Sequence, residues 1–302
     1  MKILLTGGTS KLGVRVMEYS KILGFDVIGI NLNSPFLNNQ LDVRDEKKIN
    51  EIVQKVKPDY IVHLAALSSA DVCEVDKNNC KNTNISASSS LAKACAKVGG
   101  RMIGISSDYV FNGKNGPYSE NDATNPINEY GKAKLKGERM IAKYCPDSLS
   151  IRSCVLYDWN LTSRRENFLV WLVNKLLLNE EVKIVDDQFA TPTFIPELAE
   201  IIVELLHSSY KGVLNVSGSQ WISRYDFTVK VSEIFGLDSS HIIRIDSSNF
   251  IQLAKRPLKG GLKVERVENL LKRKMYSCEK GLQICKRIKE GIYEDNEWPI
   301  RK

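Results

Sequence analysis

Histidine is scarce in this chain: His63, His207 and His241 are the three in 302 residues, too scattered for metal-ligand spacing. No metal is expected. The seven cysteines, Cys73, Cys80, Cys95, Cys145, Cys154, Cys278 and Cys285, are odd in number and include no Cys-x-x-Cys pair. That argues against a zinc ribbon or a disulfide framework and for reduced, mostly structural thiols. Long apolar runs are also missing. The strongest, residues 168–173 and 201–206, fall far short of the roughly 20 needed to cross a bilayer, so no membrane span is expected. Met1 and Lys2 run straight into Ile3-Leu4-Leu5 and a glycine turn, without the apolar stretch and cleavage site of a secretory signal. A cytoplasmic protein is expected. Repeats, low-complexity tracts and flexible linkers are absent too.

What is present is ordinary in composition, 43% hydrophobic and 26% charged, which excludes disordered and fibrous classes. The length suits one large α/β domain or two domains sharing a cleft. The net charge of +7 is spread along the chain, dense only at 132–139 and 272–274. That pattern fits a solvated surface better than a nucleic-acid site.

An apolar strand at Ile3 to Thr6, a glycine turn, a helical stretch with Leu12, Val16 and Tyr19, and a strand at Val27 to Ile30 make one βαβ unit. A helix over 46–56, a strand at 60–64, a long helix over 85–98 and a strand at 101–105 continue the alternation. This predicts an α/β fold: a Rossmann-like, doubly wound parallel sheet with its ligand at the carboxyl ends of the strands. After Ser153 the pattern loosens into a helix at 168–178, a strand at 182–185, a helix at 196–206 and a strand at 213–216. Residues 221–302 look mainly helical and polar. The expected organisation is a dinucleotide-binding domain, 1–157 and 186–218, with a smaller, discontinuous, mainly helical substrate cap, 158–185 and 219–302.

The turn Thr6-Gly7-Gly8-Thr9-Ser10-Lys11-Leu12-Gly13 lies where backbone amides and a helix N-terminus receive a pyrophosphate. Ser10 takes a position where glycine normally lets the backbone approach; its Cβ should crowd the site, while its hydroxyl could donate to a phosphate. The residue ending the second strand, Asn31, carries neither the acid that favours NAD nor the base that favours NADP. With Lys11 and Arg15 near that edge, NADP is expected, NAD remaining open.

Tyr130 and Lys134 stand four residues apart, one above the other on a helix. Ser107, just past the strand 101–105, reaches the same edge of the sheet. An ammonium beside a phenol favours the phenolate and lowers a pKa of about 10 toward a useful range. Ser107 can orient a carbonyl oxygen and Tyr130 protonate it as hydride arrives from a nicotinamide. This is the chemistry of carbonyl reduction.

These residues resemble the extended short-chain dehydrogenase/reductase family, which shows the glycine turn, His63-Leu64-Ala65-Ala66, Asn84, Ser107 and Tyr130 to Lys134 in this order. Within it, 106–138, Asp187-Gln188-Phe189-Ala190-Thr191-Pro192-Thr193 and Arg256-Pro257 are similar to the dTDP-4-dehydrorhamnose reductase group. The resemblance covers nearly the whole chain. It implies Ser107, Tyr130 and Lys134 as catalytic, and Gly7, Ser10, Lys11, Leu12, Asn31, Asp42, Val43, Ala65, Ala66, Asn84, Tyr130 and Lys134 along the dinucleotide. It also implies Ser107, Tyr109, Val110, Phe111, Gln188, Thr191 and Arg256 against the substrate, a dTDP-sugar or similar sugar nucleotide. An arginine fork suits a diphosphate.

The resemblance carries departures and alternatives. Leu258-Lys259-Gly260-Gly261 replaces the group's usual Asn-Ser after Arg-Pro, and Arg15 replaces the acid through which some members bridge a dimer by metal. A homodimer remains open. A related 4,6-dehydratase carries Thr-Asp-Glu where this chain has Ser107-Asp108-Tyr109, and a related 4-epimerase carries an acid where this chain has Asn31. The remaining alternative is a non-catalytic NADP-binding subunit, similar to the regulatory β subunit of methionine adenosyltransferase, with a synthetase as partner. The complete Ser107, Tyr130 and Lys134 set favours an enzyme.

Overall fold

The computed structural model describes residues 1–32, 40–159, 166–250 and 252–292. Strands β1 (Lys2–Thr6), β2 (Asp26–Ile30), β3 (Tyr60–His63), β4 (Arg101–Ser107) and β5 (Leu149–Ser153) join the strand Gly212–Asn215 in one sheet. Its order is Gly212–Asn215, β5, β4, β3, β1, β2, and every pairing is parallel. A parallel sheet is covered on both faces, which explains continuous apolar runs such as Ile3-Leu4-Leu5.

The helices are α1 (Lys11–Ile22), α2 (Glu46–Val56), α3 (Ala70–Val75), α4 (Lys77–Lys81), α5 (Ala87–Lys97), α6 (Glu129–Tyr144), α7 (Phe168–Leu177), α8 (Ile195–Glu204), α9 (Arg224–Phe235), α10 (Glu265–Leu271) and α11 (Cys278–Lys289). The pleat of the strands sorts them. Ile3, Leu5, Val62 and Ile103 pack with α1 and α8, whereas Leu4, Ile61 and Met102 pack with α2, α5 and α6. The sequence-predicted bounds of α2 and of the strand Val182–Val185 coincide with those observed.

A separate apolar cluster joins α7, α9 and α11 around Phe227, Val231 and Leu282. Part of it is a feature the pattern did not suggest: Ile242–Ile245 is a strand, parallel to Val182–Val185. Its Ile-Ile-Arg-Ile run is too short to stand out in a polar region by periodicity alone. Val264, Val267 and Met275, in the stretch expected to belong to the cap, pack in the sheet's core with α8. The helix expected over 85–98 begins earlier in space, because a π-type turn at Asn82–Ser86 carries α4 into α5. All seven cysteines are buried and free. Among the described residues, no helix is long and apolar enough to cross a membrane.

Candidate active site

The glycine turn lies at the carboxyl end of β1, braced by the Gly7 N–H, which donates to the Ile30 carbonyl at 3.0 Å. Gly7 has φ +74°, and a Cβ on it would stand 2.8 Å from the Ala65 nitrogen; one on Gly13 would stand 2.2 Å from the Gly7 carbonyl oxygen. Both glycines are therefore required by close approach, and Gly7 by its conformation as well. Ser10 is exposed. Its Oγ accepts from the Gly13 N–H at 3.0 Å and so caps α1. That cap leaves the hydroxyl proton free to donate. No acidic side chain occupies the first turn of α1, so its dipole and amides fit a phosphate.

Several expected cofactor residues take other roles. Arg15 is buried, with Nε 3.2 Å from Asp158 and Nη1 3.1 Å from Glu18, so its charge is already engaged. Lys11 is half-buried; burial lowers its pKa, opposed by Asp158 and then Glu166. The Leu12 side chain lies in the sheet core, leaving its backbone for the cofactor. Asn31 donates from Nδ2 to Thr9 Oγ1, tying the end of β2 to the glycine turn. Asp42 receives Arg44 Nε at 2.9 Å and Nη2 at 2.6 Å, and this hydrogen bonding lowers its pKa. Val43 is buried beside Leu41. Ala65 and Ala66 are half-buried past the end of β3. Asn84 donates from Nδ2 to the Leu67 carbonyl at 3.0 Å and accepts the Leu67 N–H at 2.9 Å. It therefore fixes the loop that follows Ala65 and Ala66.

Ser107 ends β4. Its Oγ donates to Asp108 Oδ1 at 3.1 Å and accepts the Tyr109 N–H at 3.2 Å. Asn128 caps α6 by accepting the Gly131 N–H at 2.8 Å. A Cβ on Gly131 would lie 2.1 Å from the Tyr109 carbonyl oxygen, so glycine allows α6 to start directly against the 108–110 turn. This contact brings the Tyr130 hydroxyl close enough to Ser107 for the serine to lower its pKa, and the Tyr130 ring meets Tyr109 edge-to-face at 5.6 Å.

The electrostatics differ from the simplest expectation. Burial raises the Tyr130 pKa, opposed by Ser107; depression by Lys134 does not dominate. Lys134, one turn along α6, is pushed down to about 8 by burial, opposed chiefly by Glu138. Burial and then Lys134 hold His63 neutral, with its pKa pushed down to about 3. Its ring nitrogens meet Thr6 Oγ1 at 2.8 Å and Ser88 Oγ at 3.2 Å. Asp108, buried, is raised to about 6 by desolvation. The resulting phenol is a proton donor rather than a preformed phenolate.

Of the residues expected on the substrate side, the structure brings Tyr109 to Tyr130 and turns others away. Val110 and Phe111 are fully buried, Phe111 stacking on Tyr118 at 4.3 Å, so their side chains cannot meet a ligand. Thr191 is buried as well, donating to Ser217 Oγ at 2.9 Å and accepting the Leu262 N–H at 3.1 Å. Gln188 donates to Gln252 Oε1 at 2.8 Å and, with Arg256, borders a cavity of about 830 Å³. Lys114, Lys132, Lys255 and Lys259 also line this cavity, without any carboxylate among the lining residues. Ser107, Tyr130 and Lys134 lie outside that lining. Arg256 is paired through Nη2 with Asp71. Two residues without a role in the motif reading join the site: Asp108, beside Ser107, and Arg224, whose charge interacts with Tyr109 and Arg256.

A parallel Rossmann-type sheet, a glycine turn at its carboxyl edge and a converging Ser–Tyr–Lys set define a protein of the extended short-chain dehydrogenase/reductase class. More narrowly, the chain belongs to the RmlD substrate binding domain family, whose model matches residues 1–288. It is similar to methionine adenosyltransferase 2 subunit beta of Danio rerio, 30% identical over 99% of this chain and 91% of that protein. Among solved structures, it is similar to a dTDP-4-dehydrorhamnose reductase from Clostridium acetobutylicum. That match has TM-score 0.88 and 27% identity, and covers 96% of this chain and 100% of that one. A dTDP-4-dehydrorhamnose reductase from Bacillus anthracis, solved with NADP, matches with TM-score 0.86 and 26% identity, covering 94% and 98%.

Proposed function

We propose that this protein is an NADP-preferring reductase of the 4-keto group of a 4-keto-6-deoxy sugar nucleotide, with dTDP-4-dehydro-L-rhamnose as substrate and dTDP-L-rhamnose as product. The observation that carries this reading is Tyr130 beside Ser107 at the carboxyl end of β4, with Lys134 one helical turn away on α6. The glycine turn, the capped N-terminus of α1, Asp42 and the Ala65–Ala66 loop are the groups that would hold the dinucleotide. When bound, a nicotinamide dinucleotide supplies the hydride. Tyr130 delivers its phenolic proton to the ketone oxygen, Ser107 orients that oxygen, and Lys134 is the residue that would position the nicotinamide ribose. A phenol whose pKa is raised by burial stays protonated before transfer, which suits reduction. The NADP preference is supported by the NADP bound to the similar Bacillus anthracis reductase and by the absence of an acid at Asn31. Engagement of Arg15 by Asp158 removes one of the cations expected at the 2′-phosphate.

The test is oxidation of NADPH and of NADH by the purified protein, with the keto-sugar nucleotide generated in place from dTDP-glucose by a dehydratase and a 3,5-epimerase. Turnover, faster with NADPH, is the expected result. Binding of NADPH without turnover, together with co-purification of a synthetase, would support a second reading as a non-catalytic subunit. That reading is favoured by the 30% identity to a methionine adenosyltransferase β subunit.

A further inference from the structure

We propose that Arg224, rather than Arg256, is the cation that receives the diphosphate of the sugar nucleotide, an inference that rests on the function proposed above. Arg256 is already committed. Its Nη2 pairs with the Asp71 carboxylate, its charge lowers the pKa of the neighbouring Tyr109 phenol, and Asp71 is itself fixed by the Ala254 N–H at 2.9 Å. To take a phosphate, Arg256 would have to leave a carboxylate of equal sign.

Arg224 has no such commitment. It opens α9 just after its cap Ser223, and its backbone N–H donates to the Gln188 carbonyl at 2.8 Å, anchoring it beside a residue that borders the cavity. Its guanidinium carbon lies 4.2 Å from the centre of the Phe168 ring, and the residue is exposed. Stacking on a ring occupies the face of a guanidinium and leaves its in-plane N–H groups directed outward, the geometry that grips two phosphate oxygens. Among the described residues no carboxylate pairs with it; its charged neighbours are Tyr109 and Arg256. Of the two guanidiniums only that of Arg256 is paired with a carboxylate, Asp71, so together they carry an excess positive charge that a diphosphate neutralises. Its position fits. Tyr109, which Arg224 faces, is in edge contact with Tyr130, so one aromatic ring separates the diphosphate site from the proton donor. The sugar ring fills a comparable gap between the reacting ketone and the diphosphate.

The test measures binding of dTDP and of inorganic pyrophosphate to the NADPH-loaded protein by calorimetry, for wild type, Arg224→Met and Arg224→Lys. Methionine keeps an apolar stem over Phe168 and removes the charge. Arg224→Met should bind dTDP about ten- to a hundredfold more weakly, with NADPH affinity unchanged. Arg224→Lys should fall between, because it keeps charge without the fork; if the methionine variant does not fold, the lysine variant alone decides. Unchanged dTDP affinity, or a wild type that binds neither probe, overturns the assignment. Failure of the reductase reading is distinguishable: dTDP affinity lost with Arg224 in a protein without turnover leaves the diphosphate site standing. Turnover whose KM ignores Arg224 rejects this site alone.

Discussion

Arg152 grips Glu138 through two hydrogen bonds, Nε to Oε1 at 2.9 Å and Nη2 to Oε2 at 2.8 Å, with both side chains buried. The pair joins β5 to α6 one turn beyond Lys134, so the helix that carries Tyr130 and Lys134 is tied directly to the sheet. Glu138→Gln leaves a buried guanidinium without its counter-charge. The expected loss is about 3–5 kcal/mol of unfolding free energy in urea. A loss below about 1 kcal/mol, the range of an exposed pair, would show that the pair does not anchor the helix.

Tyr130→Phe removes the hydroxyl that meets Ser107 while keeping the ring against Tyr109. NADPH affinity, followed by fluorescence, should be retained. Turnover should fall by at least about a hundredfold, the low end for general acid catalysis. Comparable turnover in the variant would remove Tyr130 from the proton-transfer role.

The sheet was legible because its signal is local. Ile3-Leu4-Leu5, the glycine turn and Tyr130 to Lys134 each declare an element by composition and spacing alone, and the parallel alternation then sets the edge where they meet. Side-chain direction was not legible. Val110 and Phe111 adjoin Tyr109 in sequence, yet the turn after β4 sends them into the core. Thr191 similarly turns inward to Ser217. Ion-pair partners were hidden for a different reason: Arg15 meets Asp158, and Arg256 meets Asp71, across separations of 143 and 185 residues. Arg224 followed no motif and stands out only once Arg256 is seen to be paired.

Ser10 acts on the stability of α1 as its cap. Ser10→Ala should cost about 0.5–2 kcal/mol, whereas Ser10→Gly should cost only a few tenths, because glycine tolerates the cap conformation. Thermal denaturation of the two variants checks this. If neither variant is destabilised, the Gly13 hydrogen bond is not what the side chain contributes; NADPH affinity in Ser10→Gly reports separately on whether its Cβ crowds the cofactor.

Asp108 gives the protein a pH dependence of defined sign. Burial raises its pKa from 3.8 to about 6, opposed by hydrogen bonds from the Gly261 N–H and Ser107. The folded state therefore holds this proton more tightly than the unfolded chain does. The resulting stabilisation is full below pH about 4, is lost as pH rises to about 6, and stays lost above it. A shift of this size corresponds to about 3 kcal/mol. Tyr130, Tyr109 and Cys154 all feel the charge that appears, each with its own pKa raised in part by it. Asp108→Asn keeps one acceptor oxygen for the Gly261 N–H, turns an NH2 toward the Ser107 hydroxyl, which can accept from it, and cannot titrate. Urea unfolding between pH 4 and 7 should show the variant gaining on wild type by about 3 kcal/mol across that interval. Parallel stability curves would place the Asp108 proton elsewhere. In the gaining case, ionisation above pH 6 also holds the Ser107 hydroxyl proton toward Asp108 and away from a substrate oxygen, so wild-type turnover should weaken through the same window while that of the variant does not.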